Sequence, residues 1–449
     1  MRRALLALAA GTLLPLATAA GQASPGRCTL VFPQNPSTRS TLVRQPSGNY
    51  NAFLGGGVFA RCEGQSVTLR ADSAEYYQDR GIVYLIGSVR YEEPRVTMTS
   101  RRATYYQTDE RVLAEGDVVT TMPSGTVMRG PRMDYYRAIP GVRARSRMIA
   151  TGRPRTQLVE VDSLGRRQPP VDIVSNTMVT EADSLVYASG SVEISRPDVR
   201  ATADSAFLDS GREYGRLMRG PVIRGTGERP FELRGRVVEL FSRNRALQRV
   251  LAAGSGRATS EDIELASDTI DMRLGADRRL ERAYAWGPSR ARATSPSSDI
   301  VADSIEILMP GQRVREVRSV GGAFARSEPD TTRVRTTEQD WLRGDAIVAY
   351  FDTSAVPAAS ADTAGGRARI ERLVATGSAS ALYHVAPQNP DAICPGVNYS
   401  RGREIVVRFA EQQARTVTVS EGAVGVYLDP LPPPPADSAA PPAPRTPCA

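Results

Sequence analysis

The 449-residue chain contains no lysine, so all 57 of its basic residues are arginines, and His384 is its only histidine. A single imidazole leaves little room for histidine chemistry. Any Ser-His-Asp arrangement would have to run through His384, and no G-x-S-x-G elbow accompanies it. His384 lies in ALYHVAP beside an insertion, with no nucleophile or ligand cluster in view, and reads as structural. Cysteine is also scarce. Cys28, Cys62, Cys394 and Cys448 match no zinc spacing. Cys28 with Cys62 and Cys394 with Cys448 are candidate disulfides, but sequence leaves connectivity open. Beyond the first residues no apolar run reaches the roughly 18 needed for a transmembrane helix, and helical periodicity is absent.

The N-terminus explains the compartment. Arg2 and Arg3 precede ALLALAAGTLLPLATAA, an apolar run ending in small residues. That pattern predicts a secretory signal peptide over residues 1–23, cut after Ala20 or Ala23. The context of Cys28, after PGR, is not a lipid-attachment site. Loss of Arg2 and Arg3 takes the formal charge from +8 to +6. Guanidinium groups bind phosphate and carboxylate in a bidentate fork, which suits an anionic partner. An exported chain is not expected to meet nucleic acid.

What is abundant is a repeat built around glycine. Short apolar runs reach a glycine, then a small or polar residue, then an apolar one. The glycines are Gly56, Gly87, Gly116, Gly152, Gly190, Gly220, Gly254, Gly287, Gly322, Gly377 and Gly422. Most neighbours are 29 to 38 residues apart; the gaps of 55 and 45 hold insertions at 352–366 and 386–398. Between them recurs Ala-Asp-Ser plus an apolar residue, as in ADSAEYY, ADSLVY, ADSAFL, SDTIDM and ADSIEI. Each unit therefore holds two strands separated by turns.

The strands alternate. Val83, Leu85, Val89 and Tyr91 share one parity, as do Val186, Ala188, Val192 and Ile194, while the other parity is mixed and charged. One face is buried and one is wet. Such units cannot bury their apolar faces singly and must stack. The expected fold is all-β, an elongated antiparallel stack of about ten two-strand units over residues 49–429, in one or two sub-stacks. A loose arm over 24–48 precedes it and a disordered Pro/Ala tail over 430–449 follows it. The glycines are expected at strand bends.

Tandem ADSxxY and x-L-x-G-x-V units after a signal peptide resemble the OstA-like lipopolysaccharide-transport proteins of the periplasm. The matching stretches are FLGGGVFARCEGQSVTLRADSAEYY, YLIGSVRYEEPRVTMTSRRATYY, VLAEGDVVTTMPSGTVMRGPRMDYY and GREIVVRFAEQQARTVTVSEGAVGVYL. The resemblance covers roughly residues 50–429. It implies a β-jelly roll whose apolar interior carries the acyl chains of lipopolysaccharide or a similar anionic lipid. It also implies edge-strand pairing with other jelly-roll transport components, delivery to an outer-membrane assembly barrel, and a periplasmic or outer-membrane-associated location. Under that reading the candidate trough residues are Val83, Leu85, Val89, Tyr91, Val118, Val186, Val192, Ile194 and Val222.

Other chemistry finds little support. The recurring Asp72, Asp183, Asp204, Asp268, Asp303 and Asp345 do not follow the nine-residue GGxGxD calcium roll. They read as strand-opening residues holding turn amides. GSGRAT and GTGERP lack the helix and lysine of a phosphate loop. Trp286 and Trp341 read as packing residues rather than a sugar platform. No catalytic residue, metal or cofactor is predicted, and the chain is not expected to be an enzyme. The alternatives are a structural or adhesive envelope repeat protein without lipid cargo and, less favoured, a β-helix carbohydrate-active enzyme.

Overall fold

The computed structural model describes residues 28–429 except 34, 160–164, 183, 198, 226–229, 261–262, 277–278, 329–335, 353–368, 388–393 and 411–412. The signal peptide, the Pro/Ala tail, Asp183 and Cys448 lie outside the described residues. Those described form a single 28-stranded sheet in which every pairing is antiparallel, with no α-helix among them. Two one-turn 3₁₀ segments, Gln78–Arg80 and Pro310–Gln312, are the only helical pieces described.

Successive strands pair with one another, so the chain climbs as a ladder. Ile82–Glu93 pairs with Thr68–Tyr77 before it and Val96–Tyr106 after it. Its ladder to the preceding strand runs from Tyr77 opposite Ile82 to Ser73 opposite Ile86, slips, and resumes at Arg70 opposite Arg90. The same slip recurs at the middle of almost every long strand, dividing each rung into two arms. Where the break is complete, one rung is split into two strands. Arg147–Thr151 and Arg155–Leu158 both pair with Val127–Tyr136, at its opposite ends. Counted this way, the strands make 22 rungs, sixteen whole and six split, or eleven two-rung units.

Alternation explains the layering. Inward side chains from both arms form one continuous apolar cluster running from Cys28 to Ile405. The outward parity carries ion pairs and aromatic ladders. Arg111 grips Asp134 through two contacts of 2.6 Å, and Asp299 is shared by Arg292 and Arg326. Much of the arginine excess is thus committed to carboxylates on neighbouring rungs. Tyr187 packs on Phe207 at 5.0 Å and Tyr214 on Phe241 at 5.5 Å. Trp286 stacks on Tyr284 at 4.8 Å, and Trp341 lies between Phe324 and Tyr399. Each pair of these that joins adjacent strands, as Tyr187 with Phe207, contributes roughly 0.2–1 kcal/mol, while Tyr284 and Trp286 are neighbours along one strand.

The corners explain both repeated motifs. Gly87 and Ser88 take φ of +76° and +44°, a consecutive left-handed pair at the register slip. A Cβ on Gly87 would sit 2.3 Å from Oδ2 of Asp72. Glycine is required there by its own φ and by the aspartate of the preceding rung, which occupies the space a side chain would need. Asp345 and Asp268 stand over Gly377 and Gly287 in the same way, while Arg101, Pro131, Asn176 and Arg236 do so elsewhere. The glycine and the aspartate are therefore two halves of one corner.

Four readings from sequence change. First, the aspartates do not open strands. Asp72, Asp204, Asp268, Asp303 and Asp345 lie at mid-strand corners. From there the Asp72 carboxylate accepts the Ser88 hydroxyl at 3.1 Å, and Asp268 accepts the Ser289 backbone N–H. The ADSLVY copy differs, because its flanking strands end at Glu181 and resume at Leu185, placing it at a rung end. Second, glycine stands second in the left-handed pair at Arg219–Gly220, Gly321–Gly322 and Glu421–Gly422. Asp303 accordingly stands over Gly321, not Gly322, and nothing lies within 4 Å of a Cβ built on Gly220. Third, this one-residue offset turns Val222 outward of the core, where it is half-buried, and Ile223 takes the inward place. Fourth, the described part of the 24–48 segment is not a loose arm. Leu30–Val31 and Arg39–Arg44 pair with the two ends of Tyr50–Cys62 and make the first rung.

Candidate functional site

The apolar feature that runs the length of the described residues is the seam between the two arms. Val83, Leu85, Val89, Tyr91, Val118, Val186 and Val192 are buried in it, and Ile194 packs against it part-buried. Val83 and Leu85 belong to one arm, and Val89 and Tyr91 to the other, so a single strand supplies both walls. The deepest side chains are covered by the opposite arm, and the seam is closed along its length.

How it is closed changes along the ladder. In the first third the filling is large: Tyr91, Tyr105, Met98, Met128 and Met133 are fully buried. There the free ends of the two arms are joined by a polar clasp. Arg137, beyond the end of one arm, pairs with Glu93 from the other at 3.3 Å and with Glu110 from its own side at 2.9 Å. Arg137 also donates to Gln65, Glu110 accepts the Cys28 backbone N–H and the Tyr105 hydroxyl, and Tyr135 donates to Glu93. The Glu110 side chain is fully buried. The Cys28–Cys62 disulfide anchors the Cys28 side of the clasp to the end of Tyr50–Cys62.

Burial dominates the acid–base properties of this clasp. It raises the Glu93 carboxyl above its ordinary value, against the opposing effects of the Tyr135 hydroxyl and Arg137. It raises Tyr91 and Tyr105 as well, the latter with Glu110 adding to the effect. For Arg137 burial works against the charge, but Tyr91, Glu110 and Glu93 outweigh it and its pKa stands raised. The geometry is that of a buried salt bridge completed by hydrogen bonds, in which removal of one member leaves an uncompensated charge.

Beyond residue 246 the filling is smaller. The glycine-bearing strands place alanines inward: Ala285 and Ala375 lie opposite Ile305, Ile347 and Ile405, while Ala291, Ala323 and Ala379 lie opposite Ala302, Gly344 and Gly402. Further large apolar side chains stand at the free ends of one arm, beside buried Leu265, Ile270, Met272, Ile307 and Leu342. Leu274, Leu280, Met309, Val314, Phe351 and Leu373 are part-buried there and form an apolar lip. Inside this stretch the hydroxyls of Ser267 and Ser319 are buried without a hydrogen-bond partner.

The His384 side chain is buried at the end of Arg369–Val385. Its Nδ1 lies 2.8 Å from Oδ1 of Asp340, which also accepts the His384 backbone N–H at 2.9 Å. The aspartate ties two adjacent rungs together through one residue, an arrangement that positions backbone. Among the described residues no group of three or more His, Cys, Asp or Glu side chains is arranged to hold a metal ion. No described helix is long and apolar enough to cross a membrane.

The seam was legible in sequence from alternation. The clasp was not, because Glu93, Glu110 and Arg137 are ordinary turn residues until the arms meet. Comparison with family models gives no match for this chain, and comparison with curated proteins gives none either.

Proposed function

We propose that the protein is a lipid-carrying bridge component that shields the acyl chains of lipopolysaccharide, or a similar anionic lipid, within the seam during transport toward the outer membrane. The observation that carries this reading is the unbroken apolar seam, one cluster from Cys28 to Ile405 between two arms built from the same strands. Each acyl CH₂ withdrawn from water contributes about 0.8 kcal/mol, so a long seam suits several chains at once. Acyl chains enter by parting the arms. The region beyond residue 246 favours this, since alanine, isoleucine and leucine contacts close it there, whereas buried ion pairs hold the first third shut. Rim arginines not taken up by carboxylates meet the lipid phosphates. Edge rungs dock neighbouring transport components by strand addition, in an exported, periplasmic setting.

A second reading is favoured by the complete cover of the deep residues: a structural envelope repeat protein whose seam is only a core. Equilibrium binding separates the two. The carrier reading expects acylated lipopolysaccharide to bind saturably and its deacylated saccharide to bind at least tenfold more weakly. Equal binding of both, or binding of neither, overturns it in favour of the structural reading.

A further inference from the structure

On the outward face of one arm, two neighbouring files of side chains run up the ladder, and their chemistry changes at the last rungs. One file carries arginines, and its neighbour carries the carboxylates that pair with them. Arg90 pairs with Glu92, Arg155 with Asp172, Arg234 with Glu232, Arg257 with Glu264 and Arg292 with Asp299. Beyond Asp299 neither file holds a carboxylate. The acidic file continues as Arg326, Trp341, Leu382, Tyr399 and Val426, each opposite the next. The basic file continues as Phe324, Arg343, Ser380, Arg401 and Val424. Arg326 still reaches back to Asp299, but among the described residues Arg343 and Arg401 make no ion pair. Both are exposed, and they stand two rungs apart, roughly 10 Å.

The apolar replacements are open to solvent. Trp341 packs between Phe324 and Tyr399, and Tyr399 is 38% exposed. On the last strand Val424, Val426 and Leu428 share the outward parity and are 50, 54 and 60% exposed. At the margin, Asp340 is held by His384 and Asp429 follows the last strand. A contiguous apolar surface of this kind marks an interaction face, and the unpaired arginines call for an anionic partner. A free phosphate would use only the arginines, and a saccharide the arginines and the rings. Neither uses exposed valine and leucine. A bilayer boundary uses all three, since phosphates meet guanidinium forks, Trp and Tyr rings lie at headgroup depth, and aliphatic side chains reach the edge of the acyl region. We infer that the outer face of the last rungs docks on an anionic lipid surface through Arg343, Arg401, Trp341, Tyr399, Val426 and Leu428. This is the outward side of strands whose inward side lines the seam, so docking does not depend on cargo within.

Co-sedimentation of the full chain with vesicles of equal parts phosphatidylcholine and phosphatidylglycerol should show binding, and vesicles of phosphatidylcholine alone should bind about tenfold more weakly or less. Arg343→Gln/Arg401→Gln should weaken binding to the anionic vesicles about tenfold or more, and Val426→Asp should weaken it comparably. Arg90→Gln/Arg155→Gln removes the same charge from the paired stretch and should change binding less than about twofold. In Trp286→Phe protein Trp341 is the only tryptophan, and its emission should shift to the blue when anionic vesicles are added. That readout leaves the docking face unaltered and decides the matter if a face variant fails to fold. Absence of binding to anionic vesicles, equal binding to neutral ones, or an equal loss in the Arg90/Arg155 variant overturns the inference. Displacement by inorganic phosphate at matched ionic strength does so too, by showing a free-anion site. So does Trp341 emission that vesicles leave unmoved, or that is already blue in the free chain and shifts to the red on dilution, which would make a second copy the cover.

Discussion

The first third of the ladder and the stretch beyond residue 246 share one backbone scheme and differ in what closes them. Rungs in both turn a left-handed corner at a glycine and bury alternate side chains. In the first third, tyrosines and methionines fill the seam, and Arg137 bridges the arms between Glu93 and Glu110. In the later stretch alanines face isoleucines, alanine or glycine across the ladder, and part-buried large side chains stand at the lip. A repeat fold fixes the rung but leaves its closure free to vary, so one ladder can hold segments closed in different ways.

The largest effect should come from breaking the lock. Arg137→Met leaves the buried Glu110 without its cation, and the expected loss is about 3–5 kcal/mol, read as a lowered midpoint of denaturant unfolding. An equivalent change outside the clasp, Arg318→Met, removes an outward pair with Glu316 and should move the midpoint little.

Corners come next. Gly87→Val adds a side chain at φ +76° against Asp72, and the strain should cost roughly 2–3 kcal/mol. Gly220→Ala meets the same sign of φ but open space, so about 1 kcal/mol is expected. Equal losses at the two sites would show that the aspartate does not matter. A smaller change of opposite sign is expected at Ser319, whose buried hydroxyl has no partner. Ser319→Ala should raise stability by about 0.5–1 kcal/mol.

The smallest effect lies in the pH dependence of the clasp. Burial raises Glu93 from its ordinary value of 4.5. Its folded form therefore holds the proton more tightly than its unfolded form. The contribution is fully present below about pH 4.5 and is lost as pH rises through the raised folded value. Relative to Glu93→Gln, which cannot titrate, the wild type should lose stability over that rise. A constant difference between the two across the range would mean that folding leaves the Glu93 pKa at its ordinary value.

Alternation made the all-β ladder legible, because period-two patterning with one charged parity admits few other folds. Glycine spacing marked the units correctly but not their internal offset. Gly220 and Gly322 occupy the second place in the left-handed pair, and only backbone angles distinguish that from the first. The misplacement of Val222 followed from this one-residue offset, which switches faces in a strand. The aspartates were visible as a motif, but their role depended on a corner that sequence does not draw. The clasp depended on contacts across 27 to 82 residues of chain, and no local pattern encodes such a meeting.

The measurement that most directly tests the central claim is photocrosslinking of acyl-labelled lipopolysaccharide from single positions in the two regions. Adducts are expected from inward Ile347 and Ala379, few from inward Leu85 and Tyr105 behind the clasp, and none from outward Arg90. Adducts at Arg90 equal to those at Ile347, or no adducts at any of the five, would contradict it.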